Sequence, residues 1–202
     1  MVKDLSKLIE SMKEGARGIR QIVLALRTFS RLDEAEFKAI NIHDGIDSTL
    51  VILGNRLKPK LNYPKIEILR NYGFLPLVEC YRGPLNQVFM NILSNAIDAS
   101  EIAIEDGQQF TPTISIDTCL IDESRAQIRI RDNGNGIPEA IKQQIFDPFF
   151  TTKPIGSGTG MGLAISYQIV TDRHQGALSC RSQSGEGTEF VIEIPLKQKL
   201  RD

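Results

Sequence analysis

No stretch of this 202-residue chain supplies the ~20 successive apolar residues that a helix needs to cross a bilayer. Its start, MVKDLSKLIE, is charged and amphipathic and lacks the apolar core of a secretory signal. Both absences predict a cytoplasmic location and no direct membrane insertion, unless a longer parent carries an anchor. Cysteine is scarce: Cys80, Cys119 and Cys180 lie far apart, with no CxxC spacing. That fits thiols used as apolar filler in a reducing compartment. An excess of one charge sign is missing too. The 24 basic and 25 acidic residues leave a net charge of −1, which excludes the broad field behind non-specific nucleic-acid binding. Neither an internal repeat nor a low-complexity tract is found.

The composition that remains, 41% hydrophobic and 24% charged, is that of a folded protein. The length fits one domain or one domain with an appendage. A body of about 150 residues buries ~68–70% of its unfolded surface and needs no disulfide or metal staple.

Within residues 1–33, residues 3–32 repeat with a seven-residue period. Leu5, Met12, Ile19 and Leu26 form one column, Leu8, Gly15, Ile22 and Phe29 another, and Ile9, Ala16 and Val23 widen the stripe. So wide a stripe is the face of a bundle helix. It needs partner helices, which predicts a homodimer through this helix; the alternative is that it folds back on the body. Residues 34–41 turn polar and are expected to be a linker, leaving 42–202 as the body. Helical spacing resumes over 43–57, with Asn41 or Asp44 as candidate caps.

From residue 64 strands and helices mix. KIEILRNYG and LPLVECYRG are β-rich, and PLNQVFMNILSNAIDASEIAIE is a helix with Pro84 near its first turn. TISIDTCLI and RAQIRIRDN alternate and form a hairpin; a short helix falls at 138–144, a second main helix over MGLAISYQIVTDRH, and GALSCRS and GTEFVIEIP close as strands. The expected fold class is α+β: a two-layer α/β sandwich, a mixed sheet packed on helices, preceded by one long N-terminal helix.

Four segments carry chemistry. Gln87, Asn91, Asn95 and Asp98 share one helical face. They could cap loops, or supply oxygens to Mg²⁺ and donors to phosphate. Asp132-Asn133-Gly134-Asn135-Gly136 follows a strand. It is either a plain turn or a buried carboxylate that accepts from an exocyclic amine, with glycines flat against a ring. Gly156-Ser157-Gly158-Thr159-Gly160-Met161-Gly162-Leu163 precedes a helix. It is neither a Walker loop nor a dinucleotide fingerprint, and is either a hinge or a phosphate cradle. Gly185-Glu186-Gly187-Thr188 opens the last strand and, alone, is a hairpin turn.

In this order the segments resemble the ATP-binding domain of the sensor histidine kinases, within the gyrase, Hsp90, histidine kinase and MutL superfamily and its Bergerat-type ATP fold. NQVFMNILSNAIDA is similar to the N box, DNGNGIP to the G1 box, IFDPFFTTK to the F box, GSGTGMGLAI to the G2 box and GEGTEFVIEIP to the G3 box. GARGIRQIVLALRTFSR is similar to the second helix of the dimerisation hairpin. The resemblance implies that Asn91, the catalytic position, and Asn95 hold Mg²⁺ and the phosphates of ATP or ADP. It implies that Asp132 binds the adenine amine beside Gly134 and Gly136, and that Thr188 reaches the base through water. Phe146, Phe149 and Phe150 would anchor a lid over Thr151–Gly160, with Lys153 and Thr159 in it. Gly158, Gly160, Gly162 and Leu163 would offer backbone donors.

Two departures stand out. Gln87 replaces the glutamate that many members use as a base, and a carboxamide accepts no proton at neutral pH. The phosphoacceptor histidine is also missing, since its helix would precede Met1. His43-Asp44 copies a His–acid pair only superficially, and a surface or capping role is expected for His43 and His174. The resemblance implies a kinase catalytic half, unable to autophosphorylate alone, that phosphorylates a histidine on a dimerisation helix of the same or another chain. A response-regulator receiver domain would then take the phosphate. The alternative is a non-catalytic nucleotide-binding module that recruits a partner bundle, which Gln87 and the absent acceptor favour. An anti-sigma-type serine kinase shares the fold but not the preceding bundle helix. Gyrase- and MutL-type ATPases need a following domain that supplies a lysine.

Overall fold

The computed structural model describes residues 37–153 and 158–197. The helix expected over 1–33, residues 34–36 of the linker, and Gly156 and Ser157 of the glycine-rich loop lie outside the described residues.

The described chain opens with β1 (Phe37–Ile40), a strand where a linker was expected. FKAI has no strand signature of its own. Its ladder comes from antiparallel pairing with β3 (Val78–Tyr81), Phe37 opposite Tyr81 and Ile40 opposite Val78. This is tertiary context overriding local pattern. Helix α1 (Ile42–Ile52) follows, capped by Asn41, whose side chain accepts from the His43 N–H at 3.0 Å. A single turn, α2 (Gly54–Leu57), leads to β2 (Glu67–Tyr72).

Helix α3 (Arg82–Glu105) crosses the layer. Strands β4 (Thr113–Asp122) and β5 (Arg125–Asp132) form the expected hairpin. A 3₁₀ turn at Glu139–Ile141 stands for the predicted short helix. Helix α4 (Gly162–Gln168) runs on as a π-helical turn, Ile169–Arg173, and β6 (Ala177–Gln183) and β7 (Gly187–Pro195) end the description. The main sheet has the order β2-β4-β5-β7-β6, with β2 parallel to β4 and the other pairs antiparallel. The α+β two-layer sandwich, a mixed sheet packed on helices, is therefore the observed class.

Alternation decides the layers. Ile114, Ile116, Ala126, Ile128, Ile130, Phe190, Ile192 and Ile194 point inward and are buried. They meet Leu85, Val88, Phe89, Ile92, Leu93, Ala96 and Ile97 of α3 in one core. Alternating positions carry Arg129, Arg131, Glu189 and Glu193 on the other face. No described helix is long and apolar enough to cross a membrane.

The π turn delivers His174 into the core, 0% exposed. Its Nδ1 lies 2.8 Å from the Ile169 carbonyl and its Nε2 accepts from the Tyr81 N–H at 3.1 Å. The ring is neutral, with the proton on Nδ1, and it ties β3 to the end of α4. Burial holds its pKa below the ordinary value, against the upward pull of the Ile169 carbonyl. An unfolded histidine gains its proton as pH falls through about 6.5; the folded one gains it later. The stability that His174 provides is therefore full above about pH 6.5 and is lost as pH falls toward the folded value. The urea-midpoint gap between wild type and H174Q should narrow on going from about pH 7.5 to about pH 5. A gap that stays constant contradicts this.

Candidate functional site

Helix α3 has two faces. Beside the core-facing stripe, Asn91, Ser94, Asn95, Asp98, Ala99 and Ile102 follow helical spacing and line one wall of a cavity of about 620 Å³. The Asn91 carboxamide is pinned. Its Nδ2 donates to the Gly162 carbonyl at 2.9 Å and to Ser166 Oγ at 3.1 Å. Ser166 itself donates to Gly162 O at 2.8 Å, so both partners act as acceptors and only the amide nitrogen can face them. Asn91 Oδ1 is left without a partner among the described residues, at the cavity.

The end of the sheet closes the cavity. Apart from Thr118, the inward rows of β4, β5 and β7 are apolar until the last, where Ile114 stands opposite Asp132 and Asp132 opposite Thr188. Asp132 is 3% exposed. Its Oδ1 accepts the N–H groups of Gly134 at 2.9 Å and Thr188 at 3.3 Å. Burial pushes its pKa up to about 6, against the pull of those two donors. The carboxylate is charged at neutral pH, with one oxygen held and the other toward the cavity.

The third wall is the loop after β5 and the glycine-rich segment. Gly136 has φ +67°, and a Cβ there would sit 2.1 Å from the Gln183 carbonyl oxygen. Gly160 has φ +66°, and its Cβ would meet the Phe149 backbone at 2.4 Å. Both backbones approach closer than any other residue allows. Lys153 reaches across the mouth. Its Nζ pairs with Asp98 and lies 3.5 Å from Asn95 Oδ1. Arg56 holds Asp98 from the other side at 2.6 Å and also pairs with Glu101.

The family described as histidine kinase-, DNA gyrase B- and HSP90-like ATPases matches residues 81–198. The chain belongs to this family. The kinase AtoS of Escherichia coli is 33% identical over 179 residues, 88% of this chain and 27% of AtoS. Sporulation kinase E of Bacillus subtilis is 36% identical over 128 residues, 63% of this chain and 16% of that protein. The chain thus spans about a quarter or less of these relatives' length. The catalytic domain of the histidine kinase ThkA superposes with TM-score 0.65 at 30% identity, covering 80% of this chain and 96% of that domain. ThkA solved in complex with the response regulator TrrA matches with TM-score 0.64 at 26% identity, covering 98% of this chain and 53% of that one. Within the ATPase family, the described residues form the ATP-binding catalytic domain of a histidine kinase.

Against that ATPase fold, Asn91, Asn95, Asp132, Gly136, Phe150, Lys153, Gly158, Thr159, Gly160, Gly162, Leu163 and Thr188 all line the one cavity. Gly134 does not: its Cβ would strike the Ala99 backbone at 2.8 Å, so it lets the loop pack on α3. Gln87, on the same face of α3 as Asn91, is outside the lining too. Among the aromatic residues expected to anchor a lid, Phe146 packs at 5.3 Å from Tyr167, whereas Phe149 is 76% exposed. His43 stacks on Tyr72 with ring centroids 4.3 Å apart, and its Nε2 lies 2.9 Å from Thr118 Oγ1. Sequence reasoning missed the apolar walls Ile137, Ile141, Ile145 and Phe190, and Arg56 behind Asp98. Ile137, Ile145 and Phe190 lie within the quoted boxes, but an apolar residue there does not show by itself that it faces a cavity, and Arg56 is 42 residues from its partner.

Gly136 and Gly185 separate closeness from strain. Both have positive φ, but a Cβ on Gly185 meets nothing within 4 Å. G136A should cost about 2 kcal/mol or more in urea unfolding, and G185A about 1 kcal/mol. Equal losses would show that the Gln183 contact does not matter.

Proposed function

We propose that this chain binds MgATP in the cavity between α3, the end of the sheet and the glycine-rich loop, and that it transfers the γ-phosphate to a histidine on a dimerisation helix. The observation that carries this is convergence: a pinned carboxamide, a buried carboxylate and close-packed glycines face one cavity. Asp132 accepts from the exocyclic amine of adenine. Thr188 meets the base through water. The backbone of Gly158, Gly160, Gly162 and Leu163 donates to phosphate oxygens, with Thr159 in the same segment, and Lys153 moves from Asp98 to neutralise their charge. Phe150 closes the mouth.

The residues fit Mg²⁺. Asn91 Oδ1 is a free oxygen, with Asn95 one turn on, and no group of three or more His, Cys, Asp or Glu is assembled among the described residues. That suits a cation that takes one or two protein oxygens and fills the rest of its shell with water and phosphate. When bound, the ion would draw charge from the phosphate oxygens. In the transfer an imidazole nitrogen bonds to the γ-phosphorus, the bond to the β,γ-bridging oxygen breaks and ADP leaves. The chain's part is to orient the phosphates and neutralise them.

The acceptor is another helix, because the chain's own histidines are engaged: His174 in the core, His43 against Tyr72 and Thr118. A response-regulator receiver domain takes the phosphate next. The catalytic domain is taken to include β1, which pairs with β3. Residues 1–33 are taken as a bundle helix that dimerises the protein through the Leu5–Phe29 stripe, and the location is cytoplasmic.

Incubating the full chain with labelled ATP, Mg²⁺ and a protein carrying a His–acid bundle helix should give acid-labile phosphate on that helix and none on the chain. N91A should abolish it. Nucleotide binding without transfer to any such helix would favour the non-catalytic module. Binding should also report Asp132. The cavity needs the carboxylate as an acceptor, so ADP affinity should fall as pH drops through about 6, and D132N should flatten that profile. A wild-type affinity constant from about pH 7.5 to about pH 5 overturns this role.

A further inference from the structure

The polar row at the end of the sheet has a third member. Ser182 of β6 stands opposite Thr188, as Asp132 does on the other side. Residues in one row of a sheet present their side chains on one face. Ser182 lies outside the cavity lining, yet its hydroxyl makes every hydrogen bond it can. It accepts the Ile137 N–H at 2.8 Å. It lies 2.8 Å from the Gly187 carbonyl oxygen, which only accepts, so the serine proton goes there. Its remaining contact is Thr188 Oγ1 at 2.9 Å. With its one proton committed to Gly187, Ser182 must accept in that contact and Thr188 must donate. Thr188 Oγ1 then has no proton left for the cavity, and offers only lone pairs.

We propose that Ser182 is a specificity-positioning residue: by fixing the Thr188 hydroxyl as an acceptor beside Asp132, it makes this end of the cavity favour a 6-aminopurine and reject a 6-oxopurine. This rests on the nucleotide reading above. Asp132 and Thr188 then form a pair of acceptors fed by N–H or water donors. A water between Thr188 and the base must give one proton to Thr188 and, beside the carboxylate, the other to Asp132, so a 6-oxo group finds lone pairs and no hydroxyl able to turn and donate in their place. The charge on Asp132 near neutral pH agrees with this pairing.

The test is calorimetric titration of the full chain with ADP and with inosine diphosphate, each with Mg²⁺, in wild type, S182A, T188V and the double variant. S182A frees the Thr188 proton to serve an oxo group. It should lower the ratio of the two dissociation constants by about threefold or more, chiefly through tighter inosine diphosphate binding, as expected for one hydrogen bond gained. Because Ser182 acts through Thr188, S182A should change nothing further in the T188V background. A ratio unaltered in S182A, both affinities falling alike, or an equal S182A effect with and without the Thr188 hydroxyl overturns the proposal. T188V leaves the Ile137 contact intact and serves where S182A does not fold: it should lower the ratio as well, and an unchanged ratio is refutation. Wild type binding neither nucleotide is a different result, which removes the nucleotide reading itself.

Discussion

A carboxylate at the end of an apolar sheet face organises this domain. Asp132 is nearly inaccessible, and removing a carboxylate from water is unfavourable unless donors replace the solvent. The Gly134 and Thr188 N–H groups do so for one oxygen. For Gly134 to reach it, the chain must turn hard after β5, and the Ala99 backbone leaves that position no room for a side chain. The same turn brings Gly136 against the β6–β7 hairpin, where Gly185 N–H bonds the Asn135 carbonyl. Loop, hairpin and helix are thus fixed around one charge whose second oxygen is left for something else.

Helix α3 connects that charge to the far wall. Its core stripe packs on the sheet, and the neighbouring stripe carries the carboxamides, so the helix cannot rotate to suit one without displacing the other. Asn91 is further tied to α4 through Gly162 and Ser166, and His174 ties the end of that helical segment back to β3. Ahead of α4, Lys153 pairs with Asp98 and Gly160 lies against the Phe149 backbone.

Much of this was legible in the sequence because period carries it. The alternation of TISIDTCLI and RAQIRIRDN gave the central hairpin, and the spacing of Asn91, Asn95 and Asp98 gave a shared face. The glycines marked the close approaches, although spacing cannot say whether a glycine faces a ring or a helix backbone, and Gly134 proved to face α3. Strand β1 was illegible, since FKAI becomes a strand only by pairing with β3. Gln87 matched the helical spacing but fell outside the cavity, because a helical face extends past the ligand it serves. Arg56 and Ser182 were hidden for another reason. Each acts through a partner brought near by folding, and nothing in the local sequence names that partner.

The proton of the acceptor imidazole fixes how the work is divided. As the N–P bond forms, the ring's other nitrogen must be able to lose its hydrogen, and some base must take it. The cavity offers Asp98 and Asp132. Asp98 is held by Arg56 even when Lys153 leaves it, and Asp132 lies at the end of the sheet, where the proposal puts the purine. Gln87 has no proton affinity to offer. The base must therefore arrive with the nucleophile, as the acid that the resemblance sets beside the acceptor histidine. On the proposed reading this domain orients and neutralises the triphosphate, while the incoming helix brings both the attacking nitrogen and the group that receives its proton. His43-Asp44 cannot substitute: its ring is stacked on Tyr72 and bonded to Thr118, and neither it nor Asp44 lines the cavity. On the proposed reading, transfer waits for the partner helix that carries the acceptor histidine.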